Sequence, residues 1–336
     1  MRKLISKGAG ALLLGLVLST SVAANDDKSK SAGPKIIKPL AAGIPHSALF
    51  GLSFDAGKGV AVGIGGSILQ SNDAGQSWLP VEQKESGLAL LSVVKAGAHT
   101  VAVGQSGLVM IEEAPGKWKK IDAGTTNRLL SVSANSSGLV VAAGQFGVVM
   151  RSTDGGQTWA NAAPDWKEQE DPNTFGTGEP TLYSVNVDEK GVVTLAGEYG
   201  VIMRSDDGAS SWRIVRRIDA KAATLFAAHV APAGSGNSYA VGQRGEMLVS
   251  ADGGETWVRK LLKVEGNFLG VAANQQGHVV VTGMRIMVRS KNDGKDWTMV
   301  KDGDATTEWY QAVRAEAGSG RILAVGHAGR IIEIGS

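Results

Sequence analysis

Short apolar runs recur along this chain, each bounded by Gly, Ser, Asn or Asp, and VVAAG (140–144) and VVMRS (148–152) are typical. A period of two with β-branched residues favours half-buried strands over helices. One strand-like motif returns at Leu49 (LFGLSF), Leu90 (LLSVVK), Leu129 (LLSVSA), Leu182 (LYSVNV), Leu225 (LFAAHV), Phe268 (FLGVAA) and Tyr310 (YQAVRA). Successive starts lie 41, 39, 53, 43, 43 and 42 residues apart, so one period fits every interval but the third, which carries an insertion. Such a period with four strands per unit is the signature of a β-propeller.

The third unit shows the plan whole: LLSVSANSSG, LVVAAGQFG, VVMRSTDGGQTW. It reads as strand A, strand B ending in Gly, a G-x-x-G turn, strand C, an Asp-containing turn, and strand D opening on Trp. Trp78, Trp118, Trp159, Trp212, Trp257 and Trp297 mark six D strands, whereas the seventh unit ends at Ile331-Ile-Glu-Ile-Gly-Ser336 without one. A three-stranded last blade would leave a weak joint and an open edge. The strand-like segment Lys35–Leu40 is therefore assigned as the missing outer strand, where Pro39 costs no ladder hydrogen bond. The fold class expected is all-β: a seven-bladed propeller with four antiparallel strands per blade, closed by its N-terminal strand. It spans 35–336, with a long insertion at 160–181 between blades 3 and 4.

Composition narrows the chemistry. Among 336 residues there are 46 Gly and no Cys, which removes thiolate catalysis, disulfides and a Cys-based zinc site. Residues 1–24 read as an export signal: Arg2, Lys3 and Lys7, an apolar run from Gly8 to Leu18, then small residues. That run falls short of the roughly 20 residues needed to span a bilayer. Residues 25–34 (NDDKSKSAGP) read as a flexible tether. Cleavage removes three of the 34 basic residues and none of the 32 acidic ones, leaving a nearly neutral chain with no basic block to suggest nucleic acid. A periplasmic or secreted location is expected. His46, His99, His229, His278 and His327 show no ligand spacing, and no motif asks for a metal or other cofactor.

The turn before each Trp resembles the Asp-box motif S-x-D-x-G-x-[ST]-W. SNDAGQSW (71–78), STDGGQTW (152–159) and SADGGETW (250–257) match fully, SDDGASSW (205–212) shifts its Gly, and SKNDGKDW (290–297) replaces the key Asp by Asn292. Asp73, Asp154, Asp207 and Asp252 are expected to accept turn hydrogen bonds. Recurrence at one blade position suits structure better than catalysis, which needs different groups converging on one point. Arg151, Arg204 and Arg289 close strand C in three units and are read as interblade partners or an anion-binding patch.

Because strands alternate in direction, the G-x-x-G turns and the D–A connections share one face. There the glycines stay constant while the residues between them vary, and the 160–181 insertion adds Trp166 and Phe175. The candidate partner-binding set is Gln105, Phe146, Trp166, Phe175, Glu198, Tyr199, Arg244, Arg285 and His327. No catalytic residue is assigned.

Strings such as AAGQFGVVMRSTDGGQTW and LAGEYGVIMRSDDGASSW resemble the photosystem II stability and assembly factor family of exported seven-bladed propellers. The resemblance implies a non-enzymatic protein that binds a membrane protein or assembly intermediate, located in the thylakoid lumen if the host is photosynthetic. It also implies an arginine-rich contact surface, onto which Arg151, Arg204 and Arg289 map by their R-S position. The competing class is a glycan-binding or sialidase-like glycosidase propeller. Sialidases carry an Arg-Ile-Pro motif, and this chain has Gly43-Ile44-Pro45 instead.

Overall fold

The computed structural model describes residues 35–169, 178–219, 221–262 and 264–335. The export signal and tether expected at 1–34, and Phe175, lie outside them. Seven four-stranded antiparallel sheets are arranged as blades. Their A strands are Leu49–Asp55, Leu90–Ala96, Leu129–Ala134, Leu182–Val187, Leu225–His229, Phe268–Ala273 and Tyr310–Ala315. Each A strand packs beside the next, and that of blade 7 packs beside that of blade 1, so the A strands form the inner ring. The D strands are short, often two residues such as Ala160–Asn161, so the Trp that announces a D strand mostly stands just before it.

The seventh blade is completed as the sequence predicts. Ile37–Ala41 lies antiparallel to Ile331–Ile334, pairing Ile37 with Ile334 and Pro39 with Ile332. Asp302 clamps this strand by accepting from the backbone N–H groups of Ile36 (2.6 Å) and Ile37 (3.0 Å). Ile37 itself is buried against blades 6 and 7.

The core is divided among the joints: seven apolar clusters, one between each pair of neighbouring blades, among the described residues. Near the axis the blades crowd, and the small residues of the A strands have a further use there. The hydroxyls of Ser53, Ser92, Ser131 and Ser184 each accept a backbone N–H from the A strand of the following blade, at Lys95, Val132, Val185 and Ala228. Serine thus satisfies donors that the inner edge of a sheet would otherwise leave unpaired.

The Asp turns form as expected. In blade 3, Asp154 accepts from Thr158 N (2.9 Å) and Thr158 Oγ1 (2.6 Å), while Ser152 Oγ donates to it and accepts from Gly156 N. Trp159 Nε1 then donates to Gly156 O (2.8 Å). Blade 6 keeps this shape with the polarity reversed: Asn292 Nδ2 donates to Asp296 Oδ2 (2.8 Å), so the carboxylate sits at the Ser/Thr position.

Candidate functional site: the axial mouth on the G-x-x-G face

A single backbone device shapes this face. Where strand B ends, the N–H following its last glycine donates to the carbonyl of the residue that precedes strand A, as in Gln105 to Ala89 and Gln145 to Arg128, and the bond recurs in all seven blades. That approach leaves no room for a Cβ on the glycine: one added at Gly144 would sit on Arg128 O, and one at Gly242 on Thr224 O. The second variable residue of each turn is left-handed, with φ of 53° at Ser106, 51° at Phe146, 56° at Tyr199, 56° at Arg244 and 59° at Arg285. This conformation turns it outward from the hairpin.

The structure separates the candidate residues. Phe146, Arg244 and Arg285 are exposed. His327 is half-buried, its Nδ1 2.5 Å from Glu308 Oε2 and its ring against Trp309. Gln105 and Glu198 turn inward instead: Gln105 Oε1 accepts from Ala89 N (3.0 Å) and Glu198 Oε2 from Thr181 N (2.7 Å), which ties each turn to its own A strand. Tyr199 packs against the joint of blades 3 and 4.

Trp166 is a correction. It is 6% exposed and its Nε1 donates to Gly147 O (3.0 Å), so it pins the insertion to the joint of blades 3 and 4, while its ring forms part of the wall of a surface pocket shared with Phe146. Of the two readings of the repeated arginines, the contacts are those of interblade partners. Arg151 Nε donates to Gly208 O, Arg204 Nη1 to Gly253 O and Arg289 Nη1 to Gly335 O, each reaching the following blade, and Arg204 also pairs with Glu255 (3.1 Å). These guanidinium groups staple joints around the outside of the ring and do not converge.

A feature absent from the sequence reading lies at the centre of the face. Every A strand carries a register shift next to its second residue. A bulge re-aims a side chain, and the seven residues at these shifts, Phe50, Leu91, Leu130, Tyr183, Phe226, Leu269 and Gln311, all line the axial channel. All seven are half-exposed. Six of them are apolar or aromatic, forming a collar, with Tyr183 edge-on to Phe226 (centroids 5.1 Å) and Phe50 stacked on Trp309 (6.1 Å).

The surroundings extend this apolar surface. Among the described residues nine large hydrophobic side chains are exposed; Ile44, Ile64, Leu88, Phe146, Leu261 and Met284 lie in G-x-x-G turns or D–A connections, and none of the nine lies in an Asp turn or an A–B loop. Around blades 4 to 6 the rim carries the exposed Arg217, Lys221, Arg244 and Arg285 together with the exposed Asp219 and Glu265, and none of the four cations is paired with a carboxylate among the described residues. Glu308, across the mouth, is held below the usual carboxylate range, because hydrogen bonding and charge from Arg330 and His327 outweigh the opposing effect of its burial.

No family model matches the chain, and no curated protein does. Solved structures share its architecture. YCF48 from Cyanidioschyzon merolae superposes with a TM-score of 0.71 at 17% identity, over 89% of this chain and 98% of that one. YCF48 bound to D1 peptide gives 0.67 at 17%, over 89% and 96%. The GH74 xyloglucanase from Xanthomonas campestris gives 0.67 at 16%, over 89% of this chain and 53% of its own.

Proposed function

We propose that this chain is an exported, non-enzymatic propeller that binds a segment of a membrane protein or assembly intermediate at the axial mouth of its G-x-x-G face. The observation that carries this reading is the collar of bulged A-strand residues, set among the exposed apolar side chains of that one face. Contiguous exposed apolar surface marks interaction sites, and an extended segment is the ligand shape that a ring of side chains around a narrow opening accepts. The unpaired Arg217, Lys221, Arg244 and Arg285 offer partners to acidic residues of such a segment. A D1 peptide bound to a propeller of this architecture supports the same class of ligand.

The glycosidase alternative draws on the xyloglucanase likeness, but Glu198 is engaged with the Thr181 backbone and Glu308 with Arg330 and His327. Retaining and inverting hydrolysis both need two carboxyl groups flanking a substrate, and these two are committed to the scaffold.

The test is capture of a membrane-fraction client by wild type and by the double variant Leu130→Glu, Leu269→Glu. Both positions are half-exposed in the channel, so melting temperature should change little while capture falls at least about tenfold, the equivalent of roughly 1.4 kcal/mol. Undiminished capture by a folded double variant would refute the collar as the site. Hydrolysis of a glycoside by the purified protein would establish the alternative.

A further inference from the structure

Beneath the collar, towards the Asp-turn face, the axial channel holds a cavity of about 200 Å3. Ser53, Ser133, Asn186, His229 and Arg314 supply its polar lining. Neither this lining nor that of the collar above includes a carboxylate. Arg314 is exposed to the lumen, and its one hydrogen bond runs from Nη1 to the carbonyl of its own neighbour Val313 (2.9 Å). It has no ion-pair partner among the described residues, whereas Arg204, Arg321 and Arg330 at the rim each have one.

The serines also point donors inward. The Ser53 and Ser133 hydroxyl oxygens already accept backbone N–H groups from Lys95 and Val187, so their own protons remain to be given. Asn186 Nδ2 gives one hydrogen to Ala228 O (3.1 Å) and directs its second at Ser184 Oγ (3.5 Å). Burial first, and the charge of Arg314 second, hold the His229 imidazole down at about 4, so it is neutral near pH 7. Asp293, the carboxylate whose field reaches His229, is engaged by Tyr239 Oη (3.0 Å). The result is a lumen lined by free hydroxyl donors and one guanidinium without a carboxylate partner. Desolvation within the channel lowers Arg314 from the ordinary arginine range.

We propose that this cavity is a binding site for a small oxyanion, a carboxylate or a phosphate, held by the Arg314 guanidinium with the Ser53 and Ser133 hydroxyl donors around it. A guanidinium presents five N–H donors in a planar fork that matches either group. The site stands on the channel lining alone and does not depend on the client reading.

The experiment follows the melting of wild type, Arg314→Lys and Arg314→Gln while inorganic phosphate and, separately, acetate are titrated at constant ionic strength. The expected result is a saturable rise for wild type of about 1–2 °C at ten times the dissociation constant. Arg314→Lys should retain part of it and Arg314→Gln none. The probe that saturates at lower concentration assigns the oxyanion class. Equal responses from wild type and Arg314→Gln, or no saturable response to either probe, would overturn the site. Should Arg314→Gln fail to fold, wild-type crystals soaked in selenate give an independent reading. An anomalous peak within hydrogen-bond reach of Arg314 is expected, and a channel without one would overturn the proposal.

Discussion

Gly144 and Asp154 show how single residues fix this fold. The glycine is required by a close backbone approach, since its φ places no demand on it while a Cβ would meet Arg128 O. Gly144→Ala should therefore destabilise by about 2 kcal/mol or more, in the range of overpacking, as read by chemical denaturation. Asp154 works through charge. Although partial burial acts to raise its pKa, hydrogen bonds from the Thr158 side chain and backbone, Ser152 and Gln157 hold it down at about 2, against 3.8 for an unperturbed group. The folded state thus prefers the carboxylate, and that preference contributes fully above about pH 4 and fades as pH falls towards 2. Denaturation midpoints should drop across this window, and less steeply in Asp154→Asn. An identical pH slope in the variant would contradict this account. At this scale the sequence was legible where one residue type has one use: Asp, Ser and Gly at fixed spacing gave the turn. It misled at Trp166, because an aromatic residue in a polar insertion looks the same whether it anchors a partner or its own loop. At Arg151, Arg204 and Arg289 the recurrence at one repeat position pointed to the next blade, although not to the backbone carbonyls that are their targets there.

Among the elements, the closing strand and the A-strand bulges carry most weight. The closing strand was legible by counting, since six Trp-marked D strands and a seventh missing one pointed to Ile37–Ala41. Its loss should open the ring: a form beginning at residue 42 should melt well below one beginning at residue 35, by about 5 °C or more for the few kcal/mol that burying Ile37 and pairing the strand supply. Equal melting temperatures would show that the ring closes without it. The bulges were not legible. A bulge inserts a residue without altering composition, so Phe50, Tyr183 and Phe226 read as ordinary members of an alternating strand, although the structure turns all three into the channel. The collar, and with it the centre of the proposed site, was therefore missed, while strand direction had already put the G-x-x-G turns and the D–A connections on one face.

Taken whole, the molecule is polarised along its axis. One face carries the Asp turns, where side chains serve the fold; the other carries the collar, the exposed apolar turn residues Ile64, Phe146 and Met284, and the unpaired cations Arg217, Lys221, Arg244 and Arg285. The channel between them passes from apolar to donor-rich as it runs towards the Asp-turn face. Binding at the G-x-x-G face is the claim on which the functional account turns, and position-specific photo-crosslinking tests it most directly. A benzophenone amino acid would replace Phe146 on that face in one variant and Asn72 in the blade 1 Asp turn in another, both exposed sites. Each variant would be irradiated with a membrane fraction of the host. The account expects a crosslinked membrane protein from position 146, lost when Leu130→Glu and Leu269→Glu are added, and no adduct from position 72. Crosslinking from position 72 with none from position 146 would place the partner on the opposite face and contradict it.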